Sequence, residues 1–449
     1  MTVIELGEVA SSSGDEPDDS PAPGLDRRLL RQAAVAVLTV LVVLVVHGSA
    51  VPRIHGVRQL WSVPAAESDG STITADTAYL QRTGSGSVRL TAYTLATGAV
   101  RWSRDIAATV GYVQPVEAAG ILLLPIDLRT VKLARGQDEV VASEFHRETI
   151  ALDARTGAER WRVAGEPQTV ADDTALMAEF TEEGTFARIR LIRLADHSTV
   201  WTKDILGVQN HTVALRGTRP DRFITATGAG EVSVFRYADG TLVTRAKIPW
   251  VTPRPEEGYF NDLIASGDFL VVNHAQRETF ELTVYRVDTM TELWHAKDTN
   301  GYAFFCGSAG LCLNLGDGIV ARDTATGRQR WQLPRAANIW TVSDGRLVLD
   351  DGVDDGHPTL VDAVTGTPIG EPARGSTVWS PRPEDVLLLM RATESPPGRT
   401  SITRWDLRTG RRDLLGSVGL LPGHRCQAVA NYLACTRETR FEVIAVGWP

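Results

Sequence analysis

The chain has 449 residues, 43% of them hydrophobic and 22% charged, and carries a net charge of −9 with lysine nearly absent. The acidic balance and the lack of any basic cluster exclude a nucleic-acid-binding surface. The arginine bias reads as base composition, not as a binding adaptation.

Residues 1–28 read as a disordered cytoplasmic tail, because the run from Ser11 to Gly24 is too rich in Ser, Asp and Pro to bury a core. Residues 29–51 read as a transmembrane signal anchor. Ala33 to Val46 is apolar except for Thr39, and the stretch to Val51 adds only His47, Gly48 and Ser49 as weak breaks, just enough for the about 20 residues that span a bilayer. Arg27, Arg28 and Arg31 precede it and Arg53 and Arg58 follow, a balance that slightly favours a cytoplasmic N-terminus. A cleaved signal peptide ending at Gly48-Ser49-Ala50 is the rival reading, and the acidic leader speaks against it. The expected place is the cell membrane, crossed once, with residues 52–449 outside the cytoplasm.

Those residues repeat one phrase. Thr97-Gly98-Ala99-Val100-Arg101-Trp102, Asp153-Ala-Arg-Thr-Gly157-Ala-Glu-Arg-Trp161 and Asp323-Thr-Ala-Thr-Gly327-Arg-Gln-Arg-Trp331 are full copies. Looser ones end in Trp201 and Trp294, while Gly240, Gly366 and Gly410 keep the turn and lose the Trp. Runs rich in Val, Ile, Leu and Tyr flank each copy, so each is a β-hairpin whose Gly takes positive φ and whose Asp caps the turn. A Trp recurring four residues past the Gly must be buried, and packing against the next repeat is the economical place for it. Upstream runs such as Gly120-Ile-Leu-Leu-Leu124 and Asp268-Phe-Leu-Val-Val272 are apolar on both faces, as central strands are. Four strands per repeat make a propeller blade.

The expected fold is therefore all-β, a β-propeller of four-stranded blades preceded by one transmembrane helix. Eight blades are expected, with nine by hairpin count and seven also open. Residues 58–63 form a returning strand without a partner before it, and Phe441 to Val446 a strand without one after it, so the former is expected to close the ring. Cys306 with Cys312, and Cys426 with Cys435, sit on the first two strands of their repeats, where disulfides can form. Paired thiols imply an oxidising compartment, and zinc is disfavoured because the pairs lie in distant repeats.

The phrase Asp-x-x-Thr-Gly-x-x-x-Trp resembles the repeat of the pyrroloquinoline-quinone-like propellers, which include quinoprotein dehydrogenases and the BamB-like lipoproteins. The resemblance covers roughly 58–449 and implies that Gly98, Trp102, Gly157, Trp161, Trp201, Trp294, Gly327 and Trp331 dock adjacent blades. It implies an eight-bladed ring and says little about activity. Family enzymes carry adjacent cysteines and a calcium site with a catalytic Asp, and neither pattern occurs here. No catalytic residue, cofactor or metal is therefore assigned, with pyrroloquinoline quinone or calcium kept as a minor alternative.

The acidic run Asp350 to Asp355 falls between two strands, where Asp and Gly are ordinary turn residues. His146, His211, His274 and His295 show no metal spacing. The longest inserts, 127–148 and 249–260, are the expected contact surfaces, the second bearing Trp250, Tyr259 and Phe260. The expected function is a non-catalytic, membrane-tethered interaction or scaffold module whose partner is an envelope or membrane protein. The alternative is a small-molecule-binding or quinone-dependent dehydrogenase-like propeller.

Overall fold

The computed structural model describes residues 56–447, apart from 136–138, 172, 253–258, 277–278, 300–302, 308–309, 316–317, 335–337, 344, 351–355, 381–384 and 423–424. The expected tail and anchor lie outside the described residues, and among those described no helix is long and apolar enough to cross a membrane. The described chain is an all-β propeller whose strands pair with their sequence neighbours into sheets numbered here I to VIII.

Sheet I joins the N- and C-terminal ends. Val57–Pro64 lies antiparallel to Arg440–Val446, from Val57 opposite Val446 to Pro64 opposite Arg440. The other strands of sheet I are Cys426–Val429 and Tyr432–Thr436. Sheets II (70–106), III (114–164), IV (166–204), VI (303–334) and VIII (376–419) are four-stranded meanders. Sheet V (208–299) has eight strands and sheet VII (338–362) has three.

These counts correct the expectation of eight four-stranded blades, with nine or seven open: six four-stranded blades stand beside the two irregular sheets. The departures have physical causes. In sheet V, the hairpin Val208–Arg216 with Arg219–Thr227 runs long enough that Leu215 pairs in parallel with Ser266 of the next meander. The Gly267 amide donates to the Leu215 carbonyl at 2.9 Å and fuses the two meanders. In sheet VII, the chain after Gly366 reaches Pro368 and Pro372, and a proline offers no N–H to a ladder, so the fourth strand shrinks to the single bridge between Val361 and Pro368.

The second strands are buried on both faces, Leu122, Leu123 and Leu124 being fully inaccessible. Each outer hairpin turns as its residues dictate. The Asp153 carboxylate accepts the Arg155 and Thr156 amides at 3.0 and 2.9 Å, and Gly157 has φ +72°. Arg160 and Thr156 hold the Asp153 carboxyl down to about 2. Both disulfides are formed, Cys306–Cys312 from the residue just after the strand Ala303–Phe305 to the next strand of sheet VI, Gly310–Asn314, and Cys426–Cys435 between directly opposed residues of sheet I.

Candidate functional site

The tryptophans of the repeated phrase are placed first, because they decide whether the phrase is a site. Each meets not the Gly of its own hairpin but the turn of the next sheet along the chain. The Trp102 indole N–H donates to Ala154 at 3.0 Å, and a Cβ added to Gly157 would lie 2.6 Å from its ring. The same pair of contacts joins Trp61 to Leu95 and Gly98, Trp201 to Tyr237 and Gly240, Trp294 to Thr324 and Gly327, and Trp331 to Ala363 and Gly366. Trp161 donates to Leu194, and there His197 takes the left-handed turn position at φ 52° with its ring 6.0 Å from the indole. The acceptor always lies three residues before the turn residue, so indole and turn form one fixed joint. These side chains are spent on packing.

The expected contact loop divides. Trp250 is half-buried, with its Cβ against Gly230 and its ring edge-on to His274 at 6.3 Å, while Val251 exchanges two hydrogen bonds with the Asn261 side chain. Phe260 reaches the surface, and the Tyr259 side chain lies outside the described residues, as does most of the insert. Insert 127–148 is the far part of a long hairpin, Ile121–Arg135 with Glu139–Asp153. At its base His146 is pinned to Glu166, whose carboxylate accepts both the backbone amide and contacts Nδ1 at 2.8 Å. Of the acidic run, Asp350 ends a strand and 351–355 lie outside the described residues.

What sequence reading did not single out is a cavity of about 770 Å³ lined by residues of sheets I to V and VIII. Thr72, Gln114 and Gln168 line it from sheets II, III and IV, and Gln427 does so from sheet I. Tyr112 and Trp379 add rings, exposed by 42% and 61%. Burial and the nearby Glu166 charge push the Tyr112 hydroxyl up to about 12, so it is a neutral donor at any physiological pH. Among the described residues, Glu117 is the one carboxylate of the lining and Arg219 the one guanidinium. Nothing in the local sequence at Trp379 or Gln427 marked them, since only the ring's curvature brings sheets VIII and I beside sheet II.

Residues 55–203 and 185–412 match the family model described as outer membrane protein assembly factor BamB. The chain belongs to this family of PQQ-like propellers. No curated protein matches it in sequence. Among solved structures, BamB from Moraxella catarrhalis is similar at 14% identity and a TM-score of 0.39, over 87% of this chain and 97% of that one. A eukaryotic initiation factor is similar at 11% identity and 0.51, over 79% and 90%. A europium-containing methanol dehydrogenase is similar at 11% and 0.38, over 87% and 93%. Identities this low speak to the fold alone.

The quinone cofactor suggested by part of the family does not fit the described lining. The four cysteines form two disulfides in different sheets, none of them adjacent in sequence, none lines the cavity, and no group of three or more His, Cys, Asp or Glu able to hold a metal occurs among the described residues.

Proposed function

We propose that this BamB-like chain is a non-catalytic, membrane-tethered propeller outside the cytoplasm that serves as a protein-interaction or scaffold module of the envelope. The family match carries the reading, since the matched family is named for a protein assembly factor. A ring closed by its own termini and locked at six joints gives variable loops a rigid frame. The apolar run 33–46 and two disulfides support the tether and an oxidising compartment. Cross-linking of the full chain in intact cells tests this. A stable envelope-protein partner, lost when loop residues such as Phe260 are substituted, is the expected result; recovery of no membrane or envelope partner would refute it. Protease added outside spheroplasts should degrade the propeller and spare residues 1–28.

A small-molecule reading is favoured by the cavity itself. Reconstitution with pyrroloquinoline quinone and calcium tests its dehydrogenase form, for which stoichiometric uptake with dye reduction would be required.

A further inference from the structure

Trp379 and Gln427 are neighbours across a parallel bridge between sheets VIII and I, fixed by the Ala428 amide donating to the Trp379 carbonyl at 2.9 Å. Residues paired in this way project side by side, about 5 Å apart. Trp379 is thus an indole that docks no turn and stands 61% exposed at the cavity wall. Beside it, the Gln427 amide donates through Nε2 to the Ser71 carbonyl at 2.8 Å. A carbonyl can only accept, so this bond fixes which end of the amide is nitrogen, and leaves Oε1 buried without a partner.

We propose that this cavity is a saccharide-binding site with Trp379 as its platform and the Gln427 side-chain amide as its polar anchor. Oε1 itself is shielded from solvent, so a ligand O–H or N–H meets it only as the Gln427 side chain shifts toward the cavity, and doing so would relieve a costly unmet acceptor. A sugar ring presents axial C–H bonds on one face, which stack on an indole, and a rim of hydroxyls, which donate and accept in the plane. The rest of the lining suits that rim: Thr72, Gln114, Gln168 and the Tyr112 hydroxyl are neutral hydrogen-bonding groups. One carboxylate against one guanidinium leaves the wall without the excess positive charge that a multiply anionic ligand requires. The volume of about 770 Å³ falls in the usual range of small-molecule sites and admits a short oligosaccharide. The site is independent of whatever protein the rim of the ring engages.

The test uses the full chain in a zwitterionic detergent without sugar headgroups, titrated calorimetrically with chitotriose, cellotriose and maltotriose. Saturable binding of at least one is expected, weakened about tenfold or more by Trp379→Ala and severalfold by Gln427→Met. Should Trp379→Ala not fold, as judged by its thermal melt, Gln427→Met carries the decision together with acrylamide quenching of the native chain, in which bound saccharide must shield tryptophan. Failure of all three saccharides to bind, or binding that both variants leave unchanged, would overturn the proposal. So would displacement of the saccharide by stoichiometric pyrroloquinoline quinone.

Discussion

The joint between sheets II and III and the seam inside sheet V solve the same problem with different chemistry. At the first, the Trp102 ring covers Gly157 and its N–H satisfies Ala154. At the second, the Trp position is Thr244 and the turn position is Met290, so neither half of the joint exists. The seam is held instead by the parallel Leu215–Ser266 pair, by Arg216 to Asp268 at 3.0 Å, and by Arg222 to Asp288 at 2.9 Å. The boundary between sheets VIII and I repeats this substitution, lacking a docked Trp and using the Trp379–Gln427 bridge. Apolar joints and backbone bridges are therefore alternatives, and only the polar seam should respond to salt.

The largest break in the comparison is Trp102→Ala. Removing a buried indole and leaving the Ala154 carbonyl unmet is expected to cost about 3–5 kcal/mol, read as a lowered denaturant midpoint. Acid comes next. His211 lies between Phe186 and Phe223, with ring centroids at 4.8 and 6.0 Å, and burial pushes its imidazole down to about 4. The unfolded chain takes up that proton near 6.5, so the stability of the neutral fold is complete above pH 6.5 and is lost as pH falls toward 4, by about 3 kcal/mol. A flat profile over that window, unchanged by His211→Leu, would contradict the burial argument.

Opening Cys306–Cys312 through the double Ser variant should cost about 2 kcal/mol, because the closed loop is short. Smallest is Arg222→Ala in the seam, about 0.5–1 kcal/mol at low salt and vanishing at high salt, since Asp288 is half-exposed. Trp102→Ala should show no such salt dependence.

The all-β ring, the hairpin turns and the disulfide partners were legible because each rests on residues close in sequence: Asp153, Thr156 and Gly157 make their own turn, and Cys426 and Cys435 sit on adjacent strands. The direction of the Trp joint was not. Gly240 and Gly366 read as turns that had lost their Trp, yet they receive Trp201 and Trp331 from the preceding sheet. Trp61 had no turn phrase before it, because the chain termini meet where that turn would be. Pairing every turn with the preceding Trp would have found both. The blade count failed where prolines 368 and 372 and the long hairpin of sheet V altered strand pairing without altering the phrase. The cavity was illegible for a deeper reason, since Thr72, Trp379 and Gln427 come from opposite ends of the chain and meet only when the ring closes.

A double-mutant cycle on Trp102→Ala and Gly157→Ala, followed by denaturant unfolding, tests the joint most directly. Each single change should be strongly destabilising, the second because φ +72° and the 2.6 Å approach leave no room for a methyl group. If indole and turn form one unit, the double variant should lose little more than either single one, a coupling of about 2–3 kcal/mol. Additive losses would mean that Trp102 and Gly157 stabilise the protein separately, and the account of the repeated phrase as a joint between sheets would be wrong.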